Sequence, residues 1–197
     1  MHRRHVLQLI GLGLMPPAVA LAQPAPWGLP QLMQGLAQVK SASARFTERK
    51  TMAVLNAPLV TTGTLTYAAP AMMQKITLSP VPERFVLDGQ DITMTGADNQ
   101  THRFSLNQDP RIGGLTAGIL ATLAGDLPTL GRLYHVQVSG GPANWQLVLQ
   151  PKDAALAQFI SWIRIAGAGN RIDAIDTQNA NGDHSEMTVV EDVSDAR

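Results

Sequence analysis

The residue types that could carry catalysis in this chain are few, and their spacing does not favour it. Of five histidines, His2 and His5 stand within the first five positions. His102, His135 and His184 remain, with no HExxH and no i, i+4 pair to hold a zinc ion. Asp183-His184-Ser185 has the residue types of a nucleophile relay, but neighbours along a strand point to opposite faces, so the three cannot line up locally. A solvated hairpin shoulder is the plainer reading. There is no GxSxG, no GxGxxG and no phosphate-loop lysine. The stretch around Asn181-Gly182 has faint calcium-loop spacing, yet Thr177 and Thr188 occupy the first and twelfth positions, where carboxylates are needed. Glu48, Glu83, Asp88, Asp91, Asp153, Asp173 and Asp176 could serve as acids or bases. None has a spacing that singles it out, and most flank turns, where acids cap or solvate. The expectation is therefore no catalytic residue, no metal and no cofactor, and a protein that binds.

Composition narrows the field further. The 197 residues are 45% hydrophobic and 15% charged, which suits one compact domain rather than a disordered chain. Fifteen Lys and Arg balance fifteen Asp and Glu, with no basic run longer than Arg3-Arg4, so nucleic acid is not an expected partner. The absence of cysteine excludes disulfides, thiol chemistry and a lipid-modified N-terminal cysteine. Residues 1–22 read as a secretory signal: Arg3 and Arg4, an apolar Val6 to Met15, and Ala20-Leu21-Ala22 as the cleavage site. The arginine pair also raises a twin-arginine route, although the residues around it match that signal poorly. Cleavage after Ala22 would leave thirteen bases against fifteen acids, a formal charge of −2, on a soluble exported chain of residues 23–197. No later window approaches the ~20 apolar residues of a membrane span.

The elements that must position any site follow from periodicity. Leu29, Leu32, Met33, Leu36 and Val39 recur at helical spacing after a Pro-rich lead. From Ala42 the period becomes two: Ala44, Phe46 and Glu48 alternate with Arg45 and Thr47, then Gly63, Leu65 and Tyr67 with threonines. The alternation returns at Ile76 and Leu78, Phe85 and Leu87, Ile92 and Met94, and Phe104 and Leu106. Five further segments complete about ten strands: Tyr134 to Val138, Trp145 to Leu149, Ile163 with Ile165, Ile172 to Thr177, and Met187 to Val189. Asp88-Gly89, Asp98-Asn99, Gly140-Gly141 and Asn181-Gly182 mark tight reversals and hence antiparallel neighbours. Only residues 110–133, with a second start at Asp126 and Pro128, and residues 153–160 interrupt the strands with helical spacing. The expected class is α+β, mostly antiparallel: an incomplete, unclosed β-barrel of about ten to eleven strands, covered by an N-terminal helix and a helical lid.

Several strings in this order resemble the LolA-like family of periplasmic outer-membrane lipoprotein carriers. Val39-Lys40-Ser41-Ala42-Ser43-Ala44-Arg45-Phe46-Thr47-Glu48 is similar to the family's passage from first helix into first strand. Gly63-Thr64-Leu65-Thr66-Tyr67-Ala68-Ala69-Pro70 resembles its Gly-x-Leu-x-aromatic-x-x-Pro strand, and Leu87-Asp88-Gly89 its Asp-Gly hairpin. Leu147-Val148-Leu149-Gln150-Pro151-Lys152, followed by Leu156 and Phe159, resembles its Leu-x-Pro-Lys strand end. One departure stands out: where the family carries a basic lid-tethering residue before the strand-end proline, this chain has Ala69.

The resemblance implies an apolar cavity under a lid and a monomer whose cargo is an acylated lipoprotein or another acylated lipid. It also implies an inner-membrane release complex as donor and an outer-membrane acceptor. Candidate lining positions are Leu36, Phe46, Leu65, Tyr67, Ile76, Leu78, Phe85, Leu87, Ile92, Met94, Phe104, Leu115, Ile119, Leu123, Trp145 and Leu147, each equally readable as filled core. Burying a sixteen-carbon chain at ~0.8 kcal/mol per methylene releases roughly 12 kcal/mol gross, enough for capture without covalent chemistry. An enzyme acting on envelope lipids and a filled interaction domain are the other readings.

Overall fold

A computed structural model describes residues 27–106, 108 and 110–192. The signal segment and the residue expected to start the second helix, Asp109, lie outside them. Eleven strands form one sheet: β1 (Ser41–Thr51), β2 (Leu59–Ala68), β3 (Met72–Ser79), β4 (Glu83–Asp88), β5 (Asp91–Thr95), β6 (Thr101–Ser105), β7 (Tyr134–Gly141), β8 (Asn144–Pro151), β9 (Ile160–Ala168), β10 (Arg171–Asn179) and β11 (His184–Glu191). Their order across the sheet is β6-β5-β4-β3-β2-β1-β11-β10-β9-β8-β7. Every pairing is antiparallel, and β6 and β7 are free edges, so the barrel is unclosed. The chain crosses from one edge to the other through α2 (Pro110–Leu123) and α3 (Leu127–Leu133), while α1 (Leu29–Leu36) and α4 (Ala154–Ala157) add to the cover.

The local chemistry explains these boundaries. Four of the reversals carry a left-handed residue where the sequence offers Gly or Asn: Gly89, Asn99, Gly140 and Gly182 all have positive φ. Asp126 caps α3 by accepting from the Thr129 amide at 3.0 Å, and Asp153 caps α4 by accepting from the Ala155 amide at 2.9 Å. The helical segment expected over residues 153–160 shortens to four residues, because Ile160 is recruited into β9 and buried against the core.

The filled core lies under one half of the sheet. Leu147 and Leu149 of β8 and Ile163 and Ile165 of β9 are fully buried with Trp145, Tyr134 and Leu130, and Leu32, Met33 and Leu36 of α1 close over them. Helix α2 is drawn close where it lacks side chains, with one hydroxyl hydrogen bond to its backbone. A Cβ on Gly118 would meet the Tyr134 ring at 3.0 Å, and the Tyr134 hydroxyl donates to the Gly114 carbonyl at 2.6 Å. The glycines that lower intrinsic helix propensity thus allow the helix to seat. At Ala69, where the lipoprotein-carrier resemblance leads one to look for a basic tether, only the backbone is engaged, its amide donating to the Lys40 carbonyl at 2.9 Å.

Truncating the core where it is most completely buried should be costly. Leu147→Ala is expected to lose about 2–5 kcal/mol of unfolding free energy in urea titration, since the rigid sheet cannot collapse into the void.

Candidate functional site

The other half of the sheet is not filled. Between β1, β2, β3, β4, β10 and β11 on one side and α1 and α2 on the other lies a cavity of about 640 Å³, within the ~300–1,000 Å³ range that encloses small organic ligands. Pleating decides its walls. Ala42, Ala44, Glu48 and Lys50 of β1 point in, as do Leu65 and Tyr67 of β2, Ile172, Ile175 and Thr177 of β10, and Ser185, Met187 and Val189 of β11. Leu115, Ile119 and Leu123 come down from α2 at successive turns.

The sixteen positions singled out in the sequence divide three ways. Leu36, Leu65, Tyr67, Phe85, Leu115, Ile119 and Leu123 line the cavity. Phe46, Leu87, Ile92, Met94, Phe104, Trp145 and Leu147 lie off its wall; Trp145 and Leu147 belong to the filled core. The ladder Phe85 to Met94, Leu87 to Ile92 and Ile92 to Phe104 places these residues on the inner face. They sit toward the β6 edge, however, and Met94 is 38% exposed. Ile76 and Leu78 differ more sharply. Tyr67 pairs with Met73 and Leu65 with Lys75, so the inward residues of β3 are Met73, Lys75 and Thr77. Ile76 and Leu78 occupy the outward parity, and Leu78 is 61% exposed. Two apolar residues of this strand, Ile76 and Leu78, thus face out while Met73 and Lys75 face in.

That lysine meets Glu48, the feature sequence reasoning passed over. Glu48 is 5% exposed. One carboxylate oxygen accepts from Lys75, whose ammonium also lies 4.8 Å from the Phe46 ring centroid, and from Thr61 at 3.5 Å. The other accepts from the Ser185 hydroxyl at 2.6 Å and faces the Lys50 ammonium at 3.5 Å. Burial alone would raise the Glu48 carboxyl, but Lys75 and Lys50, with the Lys75 and Ser185 hydrogen bonds, hold it below its ordinary 4.5. Burial pushes the Lys75 ammonium below its usual range, with Glu48 opposing and Lys50 adding to the fall. The signal was present in the sequence: Glu48 stands at an inward position of the alternation Ala44, Phe46, Glu48.

Two side chains carry unused polar atoms, one in the cavity wall and one, His184, on the outer face beside Trp162. Among the described residues, the buried polar atoms without a hydrogen-bond partner are the Tyr67 hydroxyl and His184 Nδ1. Asp183, His184 and Ser185 do not form a relay. Asp183 accepts from the Ala53 amide at 3.1 Å, His184 Nε2 faces Glu186 at 3.6 Å, and Ser185 donates to Glu48. A carboxylate held ionised between two ammoniums is a weak base for activating that serine. Among the described residues, no group of three or more His, Asp or Glu could hold a metal ion, and no helix is long and apolar enough to cross a membrane.

Residues 21–196 match the family described as outer membrane lipoprotein carrier protein LolA-like. No curated protein matches the chain. Among solved structures, a LolA superfamily protein from Nitrosomonas europaea is similar at 12% identity and a TM-score of 0.44, covering 83% of this chain and 94% of that one. An outer membrane lipoprotein-sorting protein domain from Vibrio parahaemolyticus is similar at 10% identity and a TM-score of 0.44, covering 84% and 92%. The Pseudomonas aeruginosa MucA/MucB complex is similar at 12% identity and a TM-score of 0.43, covering 82% of this chain and 55% of that one.

The charge cluster makes stability depend on pH with a defined sign. The folded pKa of Glu48 lies below its unfolded value, so its stabilisation is present above the unfolded carboxylate range and lost as pH falls through the folded value. Glu48→Gln is expected to cost about 1–3 kcal/mol at pH 7, where Lys75 loses its counter-charge. Denaturant titrations at a series of pH values below 7 should show this deficit shrinking on acidification, as the unfolded wild-type carboxyl takes up its proton before the folded one.

Proposed function

This chain belongs to the LolA-like outer membrane lipoprotein carrier family, and from that premise we propose that it is a periplasmic carrier that encloses the acyl part of a lipoprotein or other acylated lipid. One observation carries the reading: a cavity of about 640 Å³ stays open between the sheet and α2, walled by Leu65, Leu115, Ile119, Leu123 and Ile172. Native interiors are packed to crystal-like density, so a void of this size with apolar walls is a site rather than a packing fault. It argues against a filled interaction domain.

Transport in this reading needs no covalent step. Each methylene moved from water into the cavity contributes ~0.8 kcal/mol, and the gross gain is reduced by the ordering of a flexible chain. Release needs a competitor for the same space. Leu115, Ile119 and Leu123 are that competitor: cargo holds α2 away from the sheet, and its departure lets the helix settle inward. The mature protein is then a monomeric domain of residues 23–197, exported by its signal, which receives cargo from an inner-membrane release complex and yields it to an outer-membrane acceptor.

The test is direct. Native mass spectrometry of the mature protein, purified without detergent from its own host, is expected to show an acylated adduct. Displacement of an environment-sensitive fluorescent acyl probe should report reversible binding. Ile119→Asp, which puts a charge into the apolar wall, is expected to weaken the probe at least ~10-fold while circular dichroism stays unchanged. Failure of the wild type to bind any acylated ligand would overturn the proposal.

A further inference from the structure

The cavity is not uniform along its length, and the difference bears on the cargo. Toward α1 its walls are Leu36, Val39, Leu65 and Leu123, with Asn170 beside Gly35 and Glu191 opposite Ala44. Toward the far end of β1 they become Glu48, Lys50, Lys75, Thr177 and Ser185. From Ala42 to Lys50 the strand advances eight residues, on the order of 26 Å at ~3.3 Å per residue. A ligand spanning the cavity therefore meets a mostly apolar wall at one end and the two lysines at the other.

The charged end is over-supplied with donors. Glu48 offers about four acceptor sites, and they are shared among Lys75, Thr61, Ser185 and the nearby Lys50. Two ammonium groups bring about six N–H donors to that single carboxylate. Glu83, the next acid on this face, is exposed and does not line the cavity, but its charge acts on Lys75. Arg171 and Glu191, which also line it, cancel in charge. With the Glu83 charge set against Lys75, Lys50 is the lining ammonium left with only a share of Glu48. A cargo of hydrocarbon alone would make no use of these donors and would leave Lys50, whose side chain is 38% exposed, to water.

We propose that the cargo is an amphiphile with an anionic head, a carboxylate or a phosphate monoester, which docks against Lys50 and Lys75 beside Ser185 while its aliphatic chain runs under α2. This rests on the carrier reading of the same cavity and adds the chemistry of the head. The head does not replace Glu48. It takes the ammonium protons that Glu48 cannot, so Lys75 stays paired and Lys50 becomes the principal contact of the ligand.

The experiment compares four probes with one sixteen-carbon chain: hexadecanoate, hexadecyl phosphate, hexadecanol and methyl hexadecanoate. Each is titrated against the fluorescent acyl probe on the mature protein at pH 8. The two anions are expected to bind at least ~10-fold more tightly than the alcohol and the ester, and which anion binds more tightly identifies the head. Lys50→Met, which leaves the Lys75–Glu48 pair intact, should remove most of that preference. Lys50→Arg should retain it. Equal affinities of the wild type for all four would overturn the anionic head and leave the carrier reading standing, whereas no binding of any would overturn both. An anion preference unchanged in Lys50→Met, with that variant folded by circular dichroism, would also overturn the proposed head site.

Discussion

An antiparallel sheet that curls but does not close has to hide its inner face by some other means. Here the means is a chain that leaves one free edge at β6, crosses the opening as α2 and α3, and returns at the opposite edge as β7. Water cannot be left against an apolar face of eleven strands, and two or three short helices cannot supply enough side-chain volume to fill it. The outcome is a division of the interior. Under β7, β8 and β9, large residues such as Trp145, Tyr134 and Leu130 complete a solid core with α1. Under β1, β2, β10 and β11, the residues pointing in are smaller or polar, and a cavity remains.

The cavity would be unremarked apolar space without Glu48. A carboxylate taken out of water is tolerated only when its lone pairs are met by donors and its charge by cations. Meeting that requirement shapes three strands at once. Lys75 turns inward on β3 and sends the apolar Ile76 and Leu78 to the outer face. Gly63 leaves the β2 backbone bare, where a Cβ would overlap the Ile76 carbonyl and meet the Phe46 ring at 2.9 Å. Ser185 of β11 supplies the second hydrogen bond across the sheet. Because Lys50 also approaches, the cluster carries more positive than negative charge, and both pKa shifts follow the same logic: an acid held ionised, and a buried ammonium eased toward neutrality.

The helical lid shows how propensity and packing can disagree. Gly113, Gly114 and Gly118 weaken α2 as an isolated helix, but Gly114 and Gly118 are where Leu156 and Tyr134 press against it. A helix held by close backbone approach and one hydroxyl, without a charged latch at Ala69, is fixed by shape. That suits an element whose own leucines share space with whatever enters.

Much of this architecture is legible in the chain alone, because alternation at period two and turn residues such as Asn181-Gly182 are local signals that act before any tertiary contact forms. They determine the strands, their antiparallel succession, the capped start of α3 at Asp126 and the candidate helices. What the sequence could not determine is which face of each strand looks inward and where the interior stays empty. Ile76 and Leu78 read as inward because they are apolar. The β2–β3 ladder, which pairs Leu65 with Lys75 and Thr64 with Ile76, decided otherwise, since facing is a property of the partner strand's register as well as of the residue. Likewise Leu65 and Leu147 are indistinguishable as letters. One lines a cavity and the other a solid core, because the first lies opposite α2's short reach and the second among Ile163, Ile165 and Trp145. Volume left over after packing is a sum over elements distant in sequence, and only the folded arrangement sets it.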